Sequence, residues 1–171
     1  MKLPSKSIPQ TQPQLAPATD FGAVHARAGT GAENARNRQA VAESFDAWAA
    51  GTGGPFDLLA DDATWTIVGR SAAAGIYPGR EAFMREVIRP FNARIREPLK
   101  PSVREIYMDR DTVIVFFDAR GVALDGGEYN NTYTWYLQMR SGRIVSATAF
   151  FDSIEFNALW HRVAPPAGAP R

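Results

Sequence analysis

The chain contains no cysteine, and this one absence excludes disulfides, thiolate metal sites and a cysteine nucleophile together. Histidine is scarce as well. His25 and His161 lie near opposite ends, so neither a histidine-rich metal centre nor a Ser-His-Asp triad is expected. Net charge is almost missing: 19 basic against 18 acidic residues leave a formal +1, too little to attract nucleic acid or an anionic membrane surface. No apolar run approaches the length of a membrane span. The first twenty residues lack the apolar stretch of a secretory signal, and Pro4, Pro9, Pro13 and Pro17 oppose a helix there. These absences predict a cytoplasmic protein that needs no cofactor or metal and whose partner is a small hydrophobic molecule. The expected organisation is a flexible tail over residues 1–33, one domain over 34–163 and a short second tail over 164–171.

What is present suffices for a sizeable core: 45% of the 171 residues are hydrophobic, and 11% are aromatic. Between Ala35 and Ala50, Val41, Phe45 and Trp48 recur at helical spacing, and "GTGGP" ends that helix. "ATWTIVG" reads as a strand. After the loop "RSAAAGIYPG", the stretch "REAFMREVIRPF" predicts a second helix with Phe83, Met84, Val87 and Ile88 on one face, ended or kinked by Pro90. Strands follow over about residues 102–108, 112–124, 128–139 and 143–151, separated by "DRD", "DGG" and "RSG" turns. "DSIEFNALWHR" reads as a closing helix with Asp152 at its N-cap. Helices first, long meandering strands after and no alternating βα units predict an α+β domain, with the N-terminal helices packed on one face of a curved antiparallel sheet.

Within "EYNNTYTWYL", Tyr129, Tyr133, Trp135 and Leu137 share one face, and Asn131 sits among them, where an amide needs a partner. If Asp125-Gly126 forms a two-residue type I′ turn, Leu124 opposes Gly127. Arg120 then faces Asn131, Asp118 faces Tyr133 and Phe116 faces Trp135, so a carboxylate, a guanidinium, an amide and a phenol converge on an aromatic wall. On the neighbouring strand Val145, Ala147, Ala149 and Phe151 are read as inward, the two alanines leaving space beside the aromatics for a ligand. Val113, Val115 and Phe117 then lie on the other side. An apolar second face calls for a cover, most simply a second copy, which predicts a homodimer through the sheet.

On this reading Asp118 is the candidate proton-transfer group and Tyr133 a hydrogen-bond donor to a substrate oxygen. An Asp118–Arg120 ion pair and a core tyrosine are the competing structural readings. Asn131 either holds a ligand oxygen or bridges neighbouring loops. Trp65, Ile67, Trp135, Phe116 and Phe151 are candidate walls, Arg120 a candidate polar contact, and Tyr77 with Arg70 a candidate lid. His25 would become a near-neutral titrating group if its segment folded over the pocket.

"LLADDATWTIVGRSAAAGIYPGREAF" followed by "YNNTYTWYLQMRSGRIVSATAFFDSIEF" resembles the nuclear transport factor 2-like superfamily, in particular its SnoaL-like and ketosteroid-isomerase-related branch, over roughly residues 35–160. The resemblance implies a cone-shaped α+β roll, an apolar pocket and commonly a dimer. It also implies a choice among isomerases, cyclases, hydrolases, dehydratases, lyases and plain binders, which the fold does not make. The ketosteroid isomerase base corresponds to Ile67, its phenol to Ser44 or Phe45, and its proton-sharing acid falls near Trp135. The central aspartate of limonene-type epoxide hydrolases corresponds to Asp118, but their arginine corresponds to Phe116, their second aspartate to Ala149, and their tyrosine and asparagine to Trp65 and Ile67. Neither classical activity is implied. The expectation is a cofactor-independent isomerase, cyclase or lyase acting by proton transfer on a small oxygenated molecule, or else a binder of such a molecule.

Overall fold

The computed structural model describes residues 30–167; His25 and most of the two expected tails lie outside them. The element order is α1 (Gly31–Ala50), β1 (Leu59–Ile67), β2 (Gly75–Pro78), α2 (Arg80–Phe83), α3 (Arg89–Asn92), β3 (Ile95–Asp109), β4 (Thr112–Ala123), β5 (Glu128–Arg140), β6 (Arg143–Phe151) and α4 (Ser153–Arg162). A 3-10 turn, Pro55–Leu58, leads into β1, and a π-helical stretch, Met84–Ile88, joins α2 to α3 without a break. Among the described residues no helix is long and apolar enough to cross a membrane.

Helix α1 starts four residues earlier than its apolar pattern suggests, because the Thr30 side chain accepts from the Glu33 N–H and caps it. It stops at Gly51, whose φ of 74° is a left-handed conformation suited to glycine. Its inward stripe is Val41, Phe45 and Trp48, as the spacing predicts, and Phe45 packs edge-on against Phe117 at 4.9 Å. The second helix buries Phe83, Val87 and Phe91 at four-residue intervals. Pro90 does not end it: the backbone widens into the π turn just before the proline, and the chain stays helical to Asn92.

The six strands form one curved sheet in the order β2-β1-β6-β5-β4-β3. The α+β class is as expected, but the sheet is mixed, since β1 runs parallel to β6 while every other pair is antiparallel. Strand β2 lies inside what reads as a loop; its four residues, Gly-Ile-Tyr-Pro, are too few for a periodic signal. Edge strand β3 is longer than expected and carries Pro98 and Pro101, which an edge tolerates and a central strand does not.

The β4–β5 hairpin departs from expectation by one residue. The Ala123 N–H donates to the Gly127 carbonyl at 2.8 Å, and the Gly126 N–H to the Ala123 carbonyl at 3.0 Å. Leu124, Asp125 and Gly126 therefore form a three-residue loop, with Gly126 alone at positive φ, 87°, rather than the Asp-Gly pair that type I′ requires. Tertiary contacts hold this form. Arg94 offers its carbonyl to the Leu124 N–H at 2.9 Å, and Arg162 on α4 pairs with Asp125 at 2.7 Å. The resulting register sets Ala119 opposite Asn131, Phe117 opposite Tyr133 and Val115 opposite Trp135.

One residue of slip reverses every side chain of a strand. Val113, Val115, Phe117 and Ala119 are consequently the core face of β4, and Ile114, Phe116, Asp118 and Arg120 point outward. On β6, Ala147, Ala149 and Phe151 do face inward, but a bulge opposite Gln138 and Met139 puts Ile144 rather than Val145 into the core.

Candidate functional site

A cavity of about 530 Å³ opens between the inner face of the sheet and the helices. Its walls come from sequence-distant elements: Trp48 of α1, Phe56 of the 3-10 turn, Trp65 of β1, Phe83 of α2, Trp135 of β5 and Phe151 of β6. Their rings interlock. Trp65 stacks on Phe83 at 4.4 Å and meets Trp135 edge-on at 5.0 Å, while Trp48 lies parallel to Trp135 at 5.9 Å. Ala149 lies opposite both Trp135 and Ile67, and its missing side-chain volume contributes the space between them.

Of the sequence-predicted site residues, Trp65, Ile67, Tyr133, Trp135 and Phe151 line this cavity together. Asp118, Phe116 and Arg120 do not. The hairpin register carries all three to the outward face, so Asp118 and Tyr133 lie on opposite sides of the sheet. Asp118 accepts from the Thr132 hydroxyl at 2.7 Å and pairs with Arg104, also at 2.7 Å. Its ion-pair partner is thus Arg104 rather than Arg120. The Thr132 hydrogen bond first, then the Arg104 guanidinium, hold its carboxyl below the usual aspartate range, the reverse of the rise a proton-transfer role would need. Phe116 lies under the Arg104 guanidinium, 5.0 Å from its ring centre.

Tyr77 is no lid: it sits in β2 opposite Trp65, its ring packs on Phe83 at 5.9 Å, and its hydroxyl donates to the Ala73 carbonyl at 2.8 Å. Asn131 faces inward as expected but does not reach the cavity. Its side-chain nitrogen donates to the Tyr129 hydroxyl at 2.8 Å and the Asp152 carbonyl at 3.0 Å. Its oxygen accepts from the N–H of Thr132 at 2.7 Å and of Asp152 at 3.1 Å. All four bonds an amide can make are filled, and they fasten the start of α4 to β5.

The amide also orders a hydroxyl chain. The Tyr129 and Tyr133 oxygens are 2.7 Å apart. Tyr129 is buried, and its oxygen already accepts from Asn131, so its own proton needs an acceptor, and Tyr133 is the one within reach. Either hydroxyl can donate to the other; in the arrangement in which Tyr129 donates, the Tyr133 proton is left for the cavity it lines. Burial pushes the Tyr129 phenol up to about 12 and, with Tyr129 beside it, raises Tyr133 well above the ordinary tyrosine value. Both stay protonated near neutrality, which suits a hydrogen-bond donor and excludes a base.

Sequence reasoning overlooked four polar members of the site: Tyr129, Asp57, Arg80 and Asn92. Asp57 and Arg80 both line the cavity. One Asp57 oxygen accepts from the Gly54 N–H at 2.9 Å. A signal for Arg80 was available, since it precedes Phe83 and Met84 by three and four residues and so shares their helix face. Among the described residues no group of histidine, cysteine, aspartate and glutamate could hold a metal ion.

The fold and an aromatic cavity between helices and sheet define the nuclear transport factor 2-like class. The SnoaL-like domain model matches residues 41–147, and the chain belongs to that family. Solved structures agree on the fold. An NTF2-like protein of unknown function from Burkholderia pseudomallei is 23% identical, with a TM-score of 0.62 over 72% of this chain and 96% of that one. A provisionally assigned SnoaL-like polyketide cyclase from Jannaschia sp. CCS1 is 18% identical, with a TM-score of 0.59 over 78% and 95%. A provisionally assigned isomerase from Rhodopseudomonas palustris is 14% identical, with a TM-score of 0.56 over 72% and 94%. Comparison with curated proteins returns no match.

Proposed function

We propose that the cavity takes up a small, flat, oxygenated hydrophobic molecule and promotes proton transfer at the carbon beside its carbonyl, as an isomerase or cyclase would. The observation that carries this reading is the Asn131–Tyr129–Tyr133 chain, which ends on an aromatic cavity; with Tyr129 donating to Tyr133, the Tyr133 hydroxyl has a proton to offer a ligand. A donor held in place against apolar walls stabilises an enolate oxygen more than a neutral carbonyl, which is what lowers a barrier. Asp57, the one carboxylate of the lining among the described residues, takes the base role that sequence reasoning gave to Asp118. The carbon–hydrogen bond breaks, the proton passes to Asp57, and its electron pair moves onto the oxygen facing Tyr133.

The test uses β-tetralone in heavy water, with loss of the proton signal beside the carbonyl followed by NMR. Wild type is expected to exchange that proton faster than buffer, with Tyr133→Phe and Asp57→Asn each slower by about a hundredfold. Tryptophan quenching by tetralone without any exchange would leave a ligand-binding protein instead. That second reading is favoured by the placement of Asp118, paired with Arg104 outside the cavity.

The homodimer through the sheet is also a proposal, and it rests on other residues than expected. Tyr107, Ile114 and Tyr136 line up across three strands on the outward face, with Phe150 packed on Tyr136 at 6.1 Å. A monomer mass by light scattering would remove it.

A further inference from the structure

The cavity carries charged groups as well as aromatic walls. Arg80, the first residue of α2, is the one cation in its lining among the described residues, and it is only half-exposed. The surrounding arginines are already paired: Arg89 holds Glu81 at 2.6 Å and Arg85 holds Glu86 at 2.7 Å. Glu81, next in the chain to Arg80, is therefore occupied by Arg89 through two parallel bonds of 2.6 and 3.1 Å. Among the described residues the Arg80 guanidinium has no carboxylate within ion-pair distance and makes no hydrogen bond; only its backbone carbonyl is engaged, by the Met84 N–H. Asp57 could have served as its partner, since both line the cavity and their elements meet where Phe56 and Phe83 pack at 5.6 Å. Asp57 instead turns one oxygen to the Gly54 N–H.

A guanidinium carries its donors in a planar fork that matches two oxygens of an anion, and against an apolar wall such a pair is screened less than in bulk water. Building on the cavity reading above, we infer that the ligand is an aromatic acid: a flat ring system bearing a carboxylate or an ionised enol that Arg80 receives, its rings among Trp65, Phe83 and Trp135. The same molecule offers a neutral oxygen to Tyr133. Arg80 is then the residue that sets specificity, separating acidic ligands from neutral ones of the same shape.

The experiment compares naphthalene carboxylate with naphthalene carboxamide, which share a ring and a size and differ in charge. Binding is read at neutral pH by quenching of tryptophan fluorescence, for which Trp48, Trp65 and Trp135 in the walls are built-in reporters. Wild type is expected to prefer the carboxylate by about tenfold or more. Arg80→Gln should erase the preference while leaving carboxamide binding in place, which also shows that the variant is folded. Arg80→Lys should restore part of the preference, since it keeps the charge and loses the fork. A wild type indifferent to the charge, or a preference that survives in Arg80→Gln, overturns the inference while the cavity reading stands. Quenching by neither compound overturns both.

Discussion

Replacing Asn131 by leucine tests the central device of the site, because it keeps the volume and removes the four hydrogen bonds. The cost follows from what each partner loses. The Asp152 and Thr132 backbones lie at exposed residues, so water can recover part of their three bonds, at about 0.5 kcal/mol each. Tyr129 is 1% exposed, so its hydroxyl is poorly placed to replace the lost donor with solvent, and the loss costs about 1–2 kcal/mol. The sum is about 3 kcal/mol, equivalent to a fall of roughly 6–12 °C in melting temperature for a chain of this length. Urea unfolding followed by circular dichroism checks it, with the m-value expected to stay constant because the folded surface is unchanged. The same variant loosens the order of the tyrosine pair, so β-tetralone exchange should fall along with stability. A loss below about 1 kcal/mol would refute the claim that this amide fastens α4 to β5.

Asp118→Asn is expected to leave binding and exchange in the cavity unchanged and to cost less than about 1 kcal/mol, as for an exposed ion pair. Its signature lies in pH. The folded aspartate titrates below its unfolded value, so its contribution is present above about pH 4 and disappears as pH falls through the folded value. The stability gap between wild type and variant should close in acid, and a gap that widens there would contradict the Arg104 and Thr132 contacts. Gly126→Ala should destabilise by about 1–2 kcal/mol through backbone strain alone, since a Cβ there comes no closer than 3.9 Å to the Arg96 guanidinium. Thermal unfolding of Gly126→Asn, which tolerates positive φ better, should fall between the two; equal losses for alanine and asparagine would point to packing instead.

Short-range pattern was enough for the elements and their faces. The alternation of Tyr129, Asn131, Tyr133 and Trp135, the Val41–Phe45–Trp48 stripe and the Asp152 cap all appear in the structure, because each depends on neighbours within a few residues. The wall formed by Trp65, Ile67, Trp135 and Phe151 was legible for the same reason, since large apolar residues on a core-facing strand have little choice of side. What local pattern could not decide was a choice between two hairpin loops of nearly equal propensity. The three-residue loop is held by Arg94 and Arg162, which reach it from α3's end and from α4, and no window around Asp125 contains them. Because strand faces alternate residue by residue, that distant choice moved Phe116, Asp118 and Arg120 outside and left Tyr133 in the cavity, where the other polar lining, Asp57, Arg80 and Asn92, comes from elements outside the hairpin.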